Sequence, residues 1–515
     1  MRIDKSRPAS VAAPPAPSRA QWSDLLDLSL DQGSGRPIFL QIYLLIRDAI
    51  VARKLAPGVK LPSSRQLASR LQVSRTSAVS AYDQLLAEGY AVSRGGSGTY
   101  VSDDVPPPLV TAKGQDIATG RLAPERMRLS MAGERYRAFG ATLGPPVRLP
   151  FAVGCCSVDA KTIEAWRRIG ASHMRRFDRI NLAYADPAGE AALRREIAAY
   201  LRAARAVHCD DDQVVILSGA QQAIDLSMRT LLDPGDTVWV EDPGYAATRE
   251  ALQAAGARIV PIPVDEHGLD VGAGKAIAGD ARAVYITPSH QYPTGAVMSM
   301  ARRLELLAWA ADTGAWIIED DYDSEFRYAG KPLASLQGID RGHCVIYVGT
   351  LSKVLFPGLR LGFAVVPRPL VDMFRGARFL SDRAPPTLQQ AMTADFMRQG
   401  YLTSHIRRMR QLYREARDVV VDDIRRHLGD LVTIDVPDGG MQLVVHFRDG
   451  ISDIEITAVA QHAGLVVRPL SPHFVAAPPR HGLVLGFSGF DAHQLRKAAV
   501  VLGQVSREVL AKRRP

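Results

Sequence analysis

The chain has 515 residues, 47% of them hydrophobic and 23% charged, with a formal net charge of +9. That make-up belongs to a water-soluble globular protein of two or three domains, and no run reaches the ~18 apolar residues of a membrane span. The four cysteines (Cys155, Cys156, Cys209, Cys344) show neither metal nor disulfide spacing. Arg2, Lys5 and Arg7 are followed by no apolar stretch, so the expectation is a cytoplasmic protein with reduced thiols.

The positive charge is unevenly placed. Residues 1–102 carry 13 Lys/Arg against 7 Asp/Glu, hence +6 of the total +9. Such a segment suits a polyanion partner, and on charge alone a plain basic surface fits equally. Residues 1–35, rich in Pro, Ala and Ser, read as a mobile tail. Residues 36–102 read as a compact unit. Ile38, Ile42, Leu45, Ile46 and Ile50 recur at helical spacing over about 37–53. Leu61-Pro62-Ser63 enters a second, short helix to about Leu71, with Ser63 as its cap. Ser74 caps a third helix, about 75–88, with Ala78, Tyr82, Leu85 and Leu86 on its inner face. The opening residues Arg75, Thr76 and Ser77 stay polar. This is the layout of a helix-turn-helix, whose second helix offers its N-terminal residues to base edges. AVSRGGSGTYVS then reads as a hairpin with Arg94-Gly95-Gly96 at its tip, a wing from which Arg94 could meet a groove or a phosphate.

RPIFLQIY, LPSSRQLASRL, VSRTSAVSAYDQLLAEGY and GSGTYV together resemble the winged helix of the GntR family. The resemblance implies DNA contacts from Ser63, Arg65, Ser74, Arg75 and Thr76, with Arg94 and Gly96 in the wing. Val79 is apolar where some family members carry a further arginine, which leaves the base readout open.

Residues 103–147 read as a linker, opening on Asp103-Asp104-Val105-Pro106-Pro107-Pro108 and closing near Gly144-Pro145-Pro146. A short helix between these prolines is conceivable but has no clear pattern. Residues 148–515 read as one large α/β domain. Val214–Leu226 is strand, glycine turn and helix. Its turn sets free N–H groups of Gly219, Ala220 and Gln221 at a helix N-terminus, an anion site. Trp316-Ile317-Ile318 looks like a buried strand running into Glu319, Asp320, Asp321 and Asp323 around Tyr322. Taken alone, this acidic run also suits a solvated loop or a divalent metal. In VIYVGTLSKVLFPGLRLG, Val345–Gly362, a strand leads to a loop with Ser352-Lys353, and a second strand follows Pro357. Leu351, Val354, Leu355 and Phe356 flank Lys353, and partial desolvation would lower its pKa and favour a nucleophilic amine. Arg360 supplies a charged fork for a phosphate, with Thr350 and Ser352 hydroxyls beside it. An amine for an aldehyde, donors for a phosphate and a carboxylate for a ring nitrogen fit pyridoxal 5'-phosphate.

In this order the motifs resemble the fold-type I aminotransferases. The resemblance implies that Lys353 forms the internal aldimine, Asp320 pairs with the pyridine nitrogen and Tyr322 bonds the ring hydroxyl. Arg360, with Gly219, Ala220, Gln221, Thr350 and Ser352, takes the phosphate, and Tyr245 stacks on the ring. Tyr184, in YADPAG, reaches the partner subunit's cofactor and so implies a homodimer. Tyr292, in YPTG, stands where ordinary aminotransferases carry Asn, and Val484 falls where many carry the arginine that grips an α-carboxylate.

A winged helix joined to a fold-type I body resembles the MocR subfamily of GntR regulators. The expected fold is therefore an N-terminal α+β winged helix-turn-helix plus a large α/β PLP-dependent transferase domain. The expected partners are an operator in double-stranded DNA, an amine or amino-acid effector or pyridoxal phosphate itself, and a second, head-to-tail copy of the chain. No metal and no membrane are expected. The alternative is an active aminotransferase that carries a DNA-binding appendage.

Overall fold

The computed structural model describes residues 30–31, 35–104, 129–143, 148–176, 183–330, 334–448 and 451–512. Most of the expected tail and much of the expected linker lie outside them. The chain divides into two compact units, Met1–Met127 and Arg128–Pro515.

In the first unit, α1 (Ile38–Val51), α2 (Ser64–Leu71) and α3 (Arg75–Ala87) precede a hairpin, β1 (Ala91–Arg94) and β2 (Gly98–Val101). Serine caps set both helix entries, because a side-chain oxygen satisfies an otherwise orphaned N–H. Ser63 accepts from the Gln66 N–H at 3.3 Å, and Gln66 accepts the Ser63 N–H in return, a capping box. Ser74 accepts from the Ser77 N–H at 3.1 Å. Between the helices Gln72 turns the chain with φ +52°. Ile42, Ile46 and Ile50 pack with Ala78, Ala81, Tyr82 and Leu85 in one buried cluster, against which Leu86 is partly buried. The hairpin gains a third edge, since the Leu61 N–H donates to Thr99 O and the Val101 N–H to Val59 O, both at 2.8 Å.

The second unit opens with α4 (Met131–Thr142), α5 (Ala160–Arg175) and α6 (Ala191–Arg205). Strands and helices then alternate through β3 (Val214–Leu217), α7 (Ala220–Leu231), β4 (Thr237–Asp242), α8 (Ala246–Ala254) and β5 (Arg258–Asp265). They continue with β6 (Gly268–Leu269), α9 (Val271–Ala278), β7 (Ala283–Ile286), α10 (Met300–Thr313), β8 (Trp316–Asp321) and β9 (Val345–Thr350). A single turn, α11 (Leu351–Val354), leads towards β10 (Gly362–Val365). Next come α12 (Val371–Asp382), α13 (Thr387–Arg398) and α14 (Tyr401–Leu428). A C-terminal lobe holds β11 (Val432–Asp435), β12 (Gln442–Phe447), α15 (Asp453–His462), β13 (Arg468–Pro469), β14 (Gly482–Gly486) and α16 (Ala492–Ala511).

The large sheet has eight strands in the order β3-β10-β9-β8-β7-β4-β5-β6. β9, β8, β7, β4 and β5 run parallel, while β10 is antiparallel to both β9 and β3. Successive residues along a strand face opposite sides. Ile317 and Val345 join one buried cluster, Ile318 and Ile346 another across the sheet. Burial on both faces explains why these strands read as continuous apolar runs. The C-terminal lobe has its own sheet, β11-β12-β14-β13, and its own core.

Two local details differ from the sequence reading. Ser352 and Lys353 sit on the helical turn α11 rather than in an open loop. The stretch read as linker contains α4, capped by Ser130 and tied to α8 by Arg135 Nη1 donating to Gln253 Oε1 at 2.7 Å. None of its residues is buried, so no apolar period marks it. Among the described residues no helix is long and apolar enough to cross a membrane.

Candidate functional site

Residues at or just beyond the carboxyl ends of β3, β4, β7, β8 and β9 line a cavity of about 260 Å³. This end of a parallel sheet is where α/β folds place ligands. The strand pleat sorts the acids of β8. Glu319 and Asp321 share one face. Glu319 accepts the N–H groups of Leu336 and Gln337 at 2.8 and 2.9 Å. Asp321 binds Arg205 at 2.8 Å and the Tyr347 hydroxyl at 2.7 Å. Asp320 faces the other way and lines the cavity. Its Oδ2 accepts the Tyr285 hydroxyl at 2.6 Å, while Oδ1 is buried with no partner. Burial pushes this carboxyl up to about 7; the Tyr285 bond opposes the rise, and Asp321 and Asp323 add to it.

α11 sets Lys353 on the cavity side, while Leu351, Val354 and Leu355 turn into the core. Lys353 is half-buried, and its Nζ lies 3.4 Å from Gly154 O. Gly154 has φ +81°, and a Cβ there would collide with Nζ. Gly154, some 200 residues away in sequence, is thus part of the amine's seat and was not foreseen.

Gly219, Ala220, Gln221, Thr350, Ser352 and Arg360 gather in the same cavity. Gly219 has φ +113°, and no side chain caps α7, so its leading N–H groups open on the cavity without a side-chain partner. Arg360 Nη2 donates to Ser218 O at 2.8 Å, which holds the guanidinium beside this turn. Thr350 Oγ1 accepts the Ser352 N–H at 3.1 Å, and the Ser352 hydroxyl is buried without a partner. A Cβ on Gly362 would stand 2.6–2.9 Å from the Gly219–Ala220 backbone, so only glycine lets β10 approach this turn.

Tyr245 and Tyr292 meet edge to face, 5.5 Å between centroids, and both line the cavity with Tyr322. The Tyr292 hydroxyl is buried with no well-formed hydrogen bond, but the Arg468 guanidinium lies beside it and opposes the rise in its pKa that burial causes. Val484 lies in β14, is fully buried against Val444 and Leu470, and does not line the cavity. An arginine reaches the cavity from the neighbouring strand: Arg468 on β13 is the register partner of Val484 and lines the cavity. No ion pair to Arg468 occurs among the described residues. Tyr184 is 83% exposed beneath the Arg383 guanidinium, 4.6 Å from its ring centre, and does not line this cavity.

In the first unit, Arg75 and Thr76 are exposed on the first turn of α3, beside the Ser74 cap. Arg65 is exposed near the start of α2, after Ser63. Arg94 ends β1, 4.8 Å over the Tyr100 ring and 3.4 Å from Asp103, and Gly96 turns the tip with φ +71°. Lys60, not singled out from sequence, adds a second cation 5.8 Å over the same ring.

Residues 39–101 match the family described as bacterial regulatory proteins, gntR family, and residues 149–500 match aminotransferase class I and II. The chain is 40% identical, over 91% of its length and 94% of the relative's, to the probable rhizopine catabolism regulatory protein MocR of Rhizobium meliloti. It is 32% identical, over 94% of its length and 98% of the relative's, to the pyridoxine biosynthesis transcriptional regulator PdxR of Corynebacterium glutamicum. Among solved structures it resembles LysN, an alpha-aminoadipate aminotransferase of Thermus thermophilus complexed with N-(5'-phosphopyridoxyl)-L-leucine. There the TM-score is 0.66 at 28% identity, over 71% of this chain and 93% of that one.

Proposed function

This chain belongs to the MocR-type regulators of the gntR family, a DNA-binding unit joined to an aminotransferase-like body, and on that premise we propose that the body holds pyridoxal 5'-phosphate and reports an amine to the DNA-binding unit. The observation that carries the reading is a single cavity with complementary ends. One end offers the partnerless Asp320 Oδ1, which suits a protonated ring nitrogen. The other offers the uncapped α7, the partnerless Ser352 hydroxyl and Arg360, which suit a phosphate. Lys353 Nζ opens on the same space, placed for covalent attachment to an aldehyde. When bound, the group supplies an electrophilic carbon that an amine effector can engage.

The chain's own residues then define the effector. Arg468 brings a guanidinium to the cavity with no ion pair among the described residues, so the effector that fits carries an anionic group as well as its amine. Tyr292, its hydroxyl beside the Arg468 guanidinium, offers a further donor. Regulation requires that this effector favour one arrangement of the DNA-binding units over another. Tyr184, exposed and clear of its own cavity, supports a dimer in which it reaches the second copy. On DNA, Arg75, Thr76 and Arg65 face base edges and phosphates, with Arg94 in the wing.

The test is binding of the full chain to DNA from upstream of its own gene, with pyridoxal phosphate, across a panel of amino acids and ω-amino acids. One class of amine changes the affinity, and Lys353→Ala abolishes the change. An affinity indifferent to every amine refutes the sensor. A working aminotransferase is the second reading, which Arg468 also suits, since it can hold an amino-acid carboxylate. Sustained turnover between an amino donor and a keto acid, without any effect on DNA binding, would favour it.

A further inference from the structure

One stripe of α8 touches three places. Tyr245 is its N-cap and lines the cavity. Arg249 and Gln253 follow at four-residue steps, so the three share one face. At Arg249 the start of α8 is tied to the C-terminal lobe. The guanidinium donates through Nη1 to Gly244 O at 2.9 Å and to His473 O at 3.1 Å. The Gly244 N–H also donates to His473 O, at 3.2 Å. From the end of β4, the buried Asp242 carboxylate accepts three successive N–H groups, those of Val475 and Ala476 at 2.8 Å and of Ala477 at 2.7 Å. The segment so held, 470–477, continues β13, which carries Arg468. Its His473 ring meets Tyr292 edge to face, 5.3 Å between centroids. Whatever occupies the Arg468 end of the cavity thus bears on a segment fixed to the start of α8.

At the far end of α8, Gln253 accepts from Arg135 of α4 at 2.7 Å, and α4 lies against α8. α4 has 12 residues, none of them buried, and includes Gly133 and Gly140. A helix of that length is marginal by itself in water, and its glycines weaken it further. Its helical state therefore depends on docking to α8 and stands close to balance with a released one. α4 is also the first described element of the second unit, on the chain that arrives from the DNA-binding unit. Released, it adds its residues to the stretch between the units and changes the reach of the DNA-binding unit. Coupling between sites requires such a two-state element, biased from both sides.

We propose that α8 is the transmission element of the sensor. Asp242 and Arg249 are positioning residues that seat the Arg468 segment on its first turn, and Gln253 passes the placement of the helix to α4. An anionic amine that engages Arg468 holds the segment still, steadies α8 and favours docked α4. By linkage, a change that releases α4 weakens binding of the amine. This rests on the reading of the cavity as an amine sensor and names the route by which its occupation leaves the body.

The experiment is hydrogen exchange read by mass spectrometry on the full chain, in peptides covering 131–142 and 470–477, with α16 of the same unit as reference. In unloaded protein, Asp242→Asn offers one acceptor oxygen where the carboxylate uses two, and exchange in 470–477 speeds up. Exchange in 131–142 also speeds up, by about five-fold or more, the order of a modest coupling between sites, while α16 is unchanged. In protein loaded with pyridoxal phosphate, β-alanine, an amine that carries a carboxylate, shifts the visible band and slows exchange in both peptides. Arg135→Ala binds pyridoxal phosphate as the wild type does, yet needs about three-fold more β-alanine for half-saturation, the order of one exposed hydrogen bond. An Asp242→Asn protein in which 131–142 does not speed up, or in which α16 speeds up equally, overturns the proposal. So does a band that responds to β-alanine with no change in 131–142, or an unchanged half-saturation in Arg135→Ala. If Asp242→Asn fails to fold, Arg249→Met, which removes the bonds to Gly244 and His473, takes its place. If no band forms, the cofactor reading fails; if β-alanine leaves the band unmoved, the anionic-amine reading fails for this probe. In either case the unloaded comparison still decides this one.

Discussion

Asp320→Asn separates what the cavity does for folding from what it does for binding. In the unloaded protein the carboxyl is held in an apolar place with one oxygen unpaired. Its pKa rises from 3.8 to about 7. The unfolded chain releases the proton near the lower value and the folded chain near the higher. Between them the folded state binds the extra proton, so stability falls as pH rises through this window and levels off above it. A rise of about three units at about 1.4 kcal/mol each amounts to about 4 kcal/mol, of which about 3 kcal/mol falls between pH 5 and pH 8. Asparagine has no proton to lose. It retains an acceptor for the Tyr285 hydroxyl and adds a buried N–H that costs about 1–3 kcal/mol at every pH. The quantity to read is therefore the difference between two pH values. Glu325, also pushed up to about 7 by burial, titrates alike in both proteins and cancels; Glu241, raised to about 7 chiefly by burial, loses the small push of the Asp320 carboxylate in the variant, which adds to the gain rather than opposing it. Urea unfolding of the unloaded full chain should show the variant gaining about 3 kcal/mol on wild type between pH 5 and pH 8. The same variant should bind pyridoxal phosphate more weakly, because an amide cannot stabilise a protonated ring nitrogen as a carboxylate does. An equal stability difference at both pH values would refute the reasoning.

Three further outcomes are expected. Gly154→Ala places a methyl group on Lys353 Nζ, so the visible band should weaken or vanish, while the strained φ costs about 1–2 kcal/mol in unfolding experiments. Arg468→Gln should leave the band of the loaded protein intact but weaken the response to an anionic amine by about 10-fold or more, as loss of a charge-assisted pair implies; an undiminished spectral titration would count against it. Arg75→Ala should weaken operator binding and, if the side chain meets a phosphate, reduce the slope of log affinity against log salt by about one. An unchanged slope with relaxed base preference would assign Arg75 to a base edge instead.

The parts legible in the sequence are those governed by local rules. Ser63 and Ser74 announce α2 and α3 because a capping serine acts within three residues. The apolar runs of β8 and β9 announce strands buried on both faces. The acidic run alone did not separate Asp320 from its neighbours; the family resemblance singled it out, and the pleat sends Asp321 to Arg205 and Asp320 to the cavity. The unread parts depend on distant pairing. Arg468 sits on a two-residue strand, and only its register with Val484 carries the arginine to the cavity from a neighbouring strand. Gly154 matters because of Lys353, and no local period links them. α4 stayed undecided in the sequence because its residues are all at least partly exposed, with Met131 at 87% and Tyr136 at 61%.

The most direct test of the account is the visible absorbance of the purified full-length protein titrated with pyridoxal 5'-phosphate, beside Lys353→Ala. The account predicts a saturable band in the wild type that survives dialysis and is absent from the variant. No band in the wild type at any concentration, or an equal band in Lys353→Ala, would contradict it.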